Sequence, residues 1–74
     1  MIENKKHLLF ADEFKLTNGL TEDAIRCYQI AYPNCKTESA RVESSGLLQN
    51  PTIKIYIQEY RENIRLEREN SAIN

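Results

Sequence analysis

Three breakers, Thr17-Asn18-Gly19, Pro33 and Asn50-Pro51, cut this chain into four segments of helical length. Each stops or starts a helix for its own reason. Asn and Gly tolerate the left-handed backbone in which helices end, and Pro33 lacks the amide a helix needs to continue. Pro51 at a first helical position loses nothing, because its missing amide would have been unpaired anyway, and Asn50 before it is a good cap. The expectation is an all-α chain with helices near residues 4–16, 21–32, 37–49 and 51–68. The first three form a compact helix-turn-helix unit, and the fourth, amphipathic helix leads away or folds back.

Within that frame the helix starts follow capping logic. The Thr21 hydroxyl can accept from an orphaned amide of the first turn, and Glu22 and Asp23 place negative charge at the positive end of the dipole. Leu20 then serves as a hydrophobic staple before that cap. Ala24, Tyr28 and Ala31 share one stripe with Cys27 at its edge, and their small size admits a second helix closely. After the turn Pro33-Asn34-Cys35-Lys36, Thr37 and Glu38 restart a helix in the same way. At about 100° per residue, Ala40, Ser44, Leu47 and Leu48 fall on one side of it, leaving Glu38, Val42, Ser45, Gly46 and Gln49 on the other. Arg41 lies at the border, and Lys36 sits in the turn. An outer face this small and polar is either solvated or suited to lie deep in a nucleic-acid groove.

In the first helix Phe10 and Phe14 are the natural core plugs, with Leu9 able to face inward beside them. Lys15 near its end suits the dipole. Lys5, Lys6 and His7 are either a solvated first turn or phosphate contacts.

Composition narrows the function classes. With 74 residues the chain holds one small domain, whose modest core is of a kind often completed by oligomerisation. Hydrophobic residues at 41% and charged residues at 28%, with only two Gly and no Trp, exclude a low-complexity chain. A single His, no nucleophile beside a base, no phosphate-cradling glycine loop and no metal-ligand set leave an enzyme without support, and no cofactor is expected. Asp12, Glu13, Glu22 and Asp23 are explained by helix faces and starts. Cys27 and Cys35 are not spaced as a metal or redox pair, although a disulfide between them is conceivable on count alone. Nothing resembles a signal peptide and no apolar run is long enough for a membrane, so a cytoplasm is the expected compartment. The net charge of −1 argues against bulk attraction to nucleic acid, with six Lys and Arg against seven Asp and Glu up to residue 50 and four against four after it. Contact with DNA therefore depends on local clustering, raised by multivalency.

Four pieces in order, Phe10-Ala11-Asp12-Glu13-Phe14 with Thr17-Asn18-Gly19, then Cys27-Tyr28-Gln29-Ile30-Ala31-Tyr32-Pro33, then Thr37-Glu38-Ser39-Ala40, then Leu47-Leu48-Gln49-Asn50-Pro51-Thr52-Ile53, carry a resemblance. Together they resemble the N-terminal domain of the small terminase subunits of tailed bacteriophages, over about residues 8–57. That family shows small-Tyr-x-x-Ala-Tyr-Pro, a Thr-rich start to the next helix and Leu-Leu-x-Asn-Pro-x-Val/Ile at its end. The resemblance implies a non-catalytic DNA-recognition subunit of the packaging machine in the cytoplasm of a bacterial host. Such a subunit binds the packaging start site on double-stranded phage DNA, assembles into a ring and hands the DNA to a large subunit with ATPase and nuclease activities. On this reading Lys36 and Arg41 meet phosphates, Thr37 lies at the helix start, Ser45 and Gln49 hydrogen-bond, and Val42 meets a thymine methyl. The chain departs from the family at Gln29 and Ile30, where many members carry Arg, which removes basic charge from the supporting helix. Family members run on into an oligomerisation region, so residues 1–50 are expected to be the DNA-binding domain and 51–74 an amphipathic helix cut short.

A reading from another class rests on the fourth helix. Ile53, Ile57, Tyr60 and Ile64 recur at alternating four- and three-residue steps, widened by Ile55 and Tyr56. This seam is what a protein-interaction module or a homo-oligomer buries against a partner. It fails at Glu67, and the mixed-charge run Arg65 to Asn70 is either frayed or part of a longer helix. A phage transcription regulator would share the fold and differ in its target.

Overall fold

The computed structural model describes residues 2–73, with side chains as far as Glu67. It is all-α: α1 Lys5–Phe14, α2 Thr21–Ala31, α3 Thr37–Gln49 and α4 Pro51–Ile73. Met1 and Asn74, and the side chains of Arg68, Glu69 and Asn70 in the mixed-charge run, lie outside the described residues. α4 continues well past the expected end at residue 68.

α2 packs on α1 and α3, and α4 packs on the same two helices, so the four elements close around one core. Phe10 and Phe14 fill its centre, stacked at 5.8 Å between ring centroids, with the Tyr28 ring edge-on to Phe10 at 6.2 Å. Ala24, Cys27, Ala31 and Ala40 supply the small surfaces that let the helices approach, and Ile53 and Ile57 reach in from α4. The first two turns of α4 thus belong to the same packed unit as residues 1–50. Burial falls off beyond them, with Tyr60 and Ile64 half-buried and Leu66 exposed. At about 1.5 Å per residue α4 is about 34 Å long, which explains overall dimensions of 48 × 23 × 17 Å.

The termini of the helices refine the expected caps. Asn4 caps α1, its Oδ1 accepting from the amides of Lys6 and His7 at 2.9 and 3.2 Å. Gly19 has φ +82°, as the left-handed turn after α1 requires. Thr21 and Thr37, expected as caps, are instead the first helical residues, one position too late for a threonine hydroxyl to reach the amides of the first turn. Leu20 holds the cap position of α2, where its amide donates to Asp23 Oδ2 at 3.3 Å. Lys36 holds that of α3 and provides no side-chain cap. Asn50 does cap α4, accepting from the Thr52 amide at 2.9 Å. Two apolar expectations are corrected as well: Leu9 is 40% exposed and Leu20 58%, so neither is a core or staple residue. Leu9 stands about 100° round the helix from Phe10, and Phe10 takes the inward position.

Candidate nucleic-acid interface

The residues singled out for DNA contact lie along α3 and the turn before it, so the turn is where the geometry starts. α2 ends at Ala31, and the backbone of Tyr32 after it (φ −129°, ψ 79°) leaves the helical region just before Pro33. The Cys35 amide closes the turn by donating to the Tyr32 carbonyl at 3.0 Å. Gln29 then staples it, its side-chain amide donating to the Cys35 carbonyl at 3.2 Å and to Thr37 Oγ1 at 3.4 Å. On the inner side Tyr32 stacks on Tyr28 at 4.6 Å, and the Lys6 ammonium sits 4.9 Å from the Tyr32 ring centroid. Gln29 thus ties the start of α3 to α2, while the end of α2 is held to α1 through Lys6.

From that start α3 presents two unlike faces. Ala40 and Ser44 are buried and Leu47 and Leu48 half-buried, as their spacing predicts. The Ser44 hydroxyl is satisfied by donating to the Arg41 carbonyl at 3.2 Å. Lys36, Thr37, Arg41, Val42, Ser45 and Gln49 are all exposed, Val42 by 69%. They form one continuous outer strip. Around Gly46 in that strip there is open space: nothing lies within 4 Å of where a Cβ would stand.

Charge along the strip is balanced. Arg41 and Glu38 stand 4.0 Å apart with both side chains largely exposed, a contact worth little. Glu43 is also exposed. Lys36 has no acidic partner among the described residues. The uncapped first turn of α3 beside it concentrates positive potential at that end, where anions are favoured.

The seam on α4 divides in two. Ile53 and Ile57 face the chain's own core, at 2% and 5% exposure, while Tyr56, Tyr60 and Ile64 are half-buried and Ile55 is exposed. Tyr56 and Tyr60 belong to a clasp between α1 and α4. Lys15 donates to Asp12 Oδ1 at 2.9 Å and to the Tyr56 hydroxyl at 3.4 Å, and its ammonium lies 5.2 and 4.7 Å from the Tyr56 and Tyr60 ring centroids. The Tyr56 hydroxyl in turn donates to Asp12. That bond, with Lys15, holds the Asp12 carboxyl below the usual carboxylate range against the opposing effect of its partial burial. Asp12 as a hydrogen-bond partner, joined by burial, pushes the Tyr56 phenol up, and Asp12 likewise raises the Lys15 ammonium.

Sequence reasoning missed the stapling role of Gln29 and the clasp. The only signal for Gln29 was its departure from a basic residue. For the clasp there was none, since Asp12 and Tyr56 are 44 positions apart.

Cys27 and Cys35 are free thiols. Among the described residues no cluster of His, Cys, Asp or Glu is placed to hold a metal ion, and no helix is long and apolar enough to cross a membrane. The chain matches no family model, no curated protein and no solved structure.

Proposed function

We propose that α2, the turn and α3 act as a helix-turn-helix that lays α3 into the major groove of double-stranded DNA. In this reading the chain is the recognition part of a phage genome-packaging complex, a small terminase subunit. It binds the packaging start site and passes the DNA to a separate large subunit that carries the ATPase and nuclease. The observation that carries the reading is the outer strip of α3, exposed from Lys36 to Gln49, with the small Thr37, Val42, Ser45 and Gly46 between longer polar side chains on a helix whose other face is anchored in the core. A groove about 12 Å wide admits such a helix. The family resemblance of the turn and of Leu47-Leu48-Gln49-Asn50-Pro51 supplies the packaging role. Lys36 and the open helix start meet phosphate, Arg41 a second phosphate, and Val42, Ser45 and Gln49 face base edges.

The interaction-module reading needs a seam free for a partner, and Ile53 and Ile57 are already spent on the core. Self-association would have to use what is left of α4, and binding of many weakly held domains around a ring would offset the balanced charge of one.

The test is binding of a labelled duplex from the packaging start region by the full chain and by a Lys36→Glu, Arg41→Glu variant. The reading expects binding by the parent and its loss in the variant. Equal binding by both would remove α3 as the reader.

A further inference from the structure

Resting on the DNA-binding reading above, we infer that α4 supplies a second phosphate-contacting surface, a cationic stripe of Lys54 and Arg61 that continues the outer strip of α3. At about 100° per residue Lys54, Gln58, Arg61 and Arg65 fall within about 60° of one another. Arg65, at the far end of that row, is paired with Glu62; Glu59 lies further round on the same side, and the buried Ile53 and Ile57 lie about 90° round on the other. Between Lys54 and Arg61 the charges of α4 are thus sorted, the two cations flanking the core seam and Glu59 facing away from it.

Two adjoining hollows join this stripe to α3. One, of ≈ 340 Å³, lies between the start of α2 and α3 and is lined by Arg41, Ser45 and Gln49. The other, of ≈ 250 Å³, is lined by Lys54, Gln58 and Arg61. Gly19 and Leu48 belong to both, so the two run together along one side of the molecule. Together they carry three cations and no acidic residue, whereas the hollows beside Ile2 carry Glu3 and Glu59. Lys54 and Arg61 have no acidic partner among the described residues. Gly19 lies against the stripe: a Cβ there would stand 3.4 Å from the Arg61 guanidinium.

This sorting is how a chain of net charge −1 turns one positive side to a polyanion. Lys54 and Arg61 are about 10 Å apart along the helix axis. They address separate phosphates, since a strand carries one about every 3.4 Å. The partner is the DNA backbone flanking the groove that α3 enters, and the contribution is independent of base sequence.

The experiment measures binding of a mixed-sequence duplex by the full chain across a salt series. Lys54→Gln with Arg61→Gln should leave the thermal transition in place and lower the slope of log K against log salt by about 1.8, about 0.9 for each phosphate that is no longer neutralised. Glu59→Gln with Glu67→Gln, which changes net charge by the same amount in the opposite sense, should leave that slope unaltered. Binding by the parent that disappears in Val42→Asp but keeps its slope in the Lys54, Arg61 variant would overturn the stripe and leave α3 as the reader. A slope that follows net charge in both double variants would overturn it too. A parent chain that binds no duplex would overturn the stripe and the DNA reading together.

Discussion

The two glycines should answer the same substitution with opposite signs. Gly46 lies inside α3, at a helical backbone angle, with open space where a Cβ would go. Replacing it by Ala adds no clash and reduces the conformational freedom of the unfolded chain, which favours the folded state by about 0.5–1 kcal/mol. For a domain of this size, 1 kcal/mol corresponds to about 4–8 °C in Tm, so Gly46→Ala should raise Tm by about 2–8 °C. Gly19 is the opposite case, because its φ of +82° strains any side chain and its Cβ would meet the Arg61 guanidinium at 3.4 Å. Left-handed backbone costs a non-glycine residue about 1–2 kcal/mol, so Gly19→Ala should lower Tm by about 4–16 °C. Both variants are read by thermal unfolding followed by circular dichroism at 222 nm. A fall in Tm for Gly46→Ala would mean that α3 is covered there or not helical, and would remove the exposed strip on which the proposed function rests.

Other parts of the structure yield sharp expectations. Phe10, wholly buried between Phe14 and Tyr28, should cost about 3–5 kcal/mol when replaced by Ala. That is a large part of the roughly 4–11 kcal/mol available to a chain this long, and a loss below about 1 kcal/mol in urea unfolding would contradict its place at the core's centre. The Asp12 carboxyl is stabilised as the anion, so its contribution is present above the unfolded value and lost as pH falls below about 4. Lys15 and Tyr56 are both raised, so theirs is present at neutral pH and lost as pH rises above about 10. Asp12→Asn should flatten the acid limb of a stability-against-pH curve, and an unchanged acid limb would show that the clasp contributes nothing. Burial pushes the Cys27 thiol up, while Cys35 is half-buried. A thiol reagent should therefore label one cysteine quickly and the second only with denaturant, Cys35 being the first by peptide mapping.

The parts of this fold that were legible in the sequence are those set by local rules. Ala24, Cys27, Tyr28 and Ala31 face the core because a helix repeats its face every three or four residues, and Ala40 and Ser44 follow for the same reason. Asn50-Pro51 marks the start of α4 because the cap and the missing amide act within one turn. The threonine caps were displaced by one residue, since Thr21 and Thr37 suit a first helical turn as well as a cap and Asp23 could secure α2 from within. Periodicity marks a residue as wanting burial without saying against what. Ile53 and Ile57 carry the strongest part of the seam, and the chain itself covers them. The outer strip of α3 was legible as a face, and so is the alignment of Lys54 with Arg61 on α4, but that the two adjoin emerges only when α4 is set beside α3 and Gly19.

Titration of the isotopically labelled chain with a duplex from the packaging start region, at low and moderate salt and against a scrambled control, tests the central claim most directly. The account predicts amide shifts concentrated on Lys36 to Gln49 that persist at moderate salt for the cognate duplex, as base contacts require. Shifts absent from α3, or confined to the half of α4 beyond Ile57 through self-association, would contradict it.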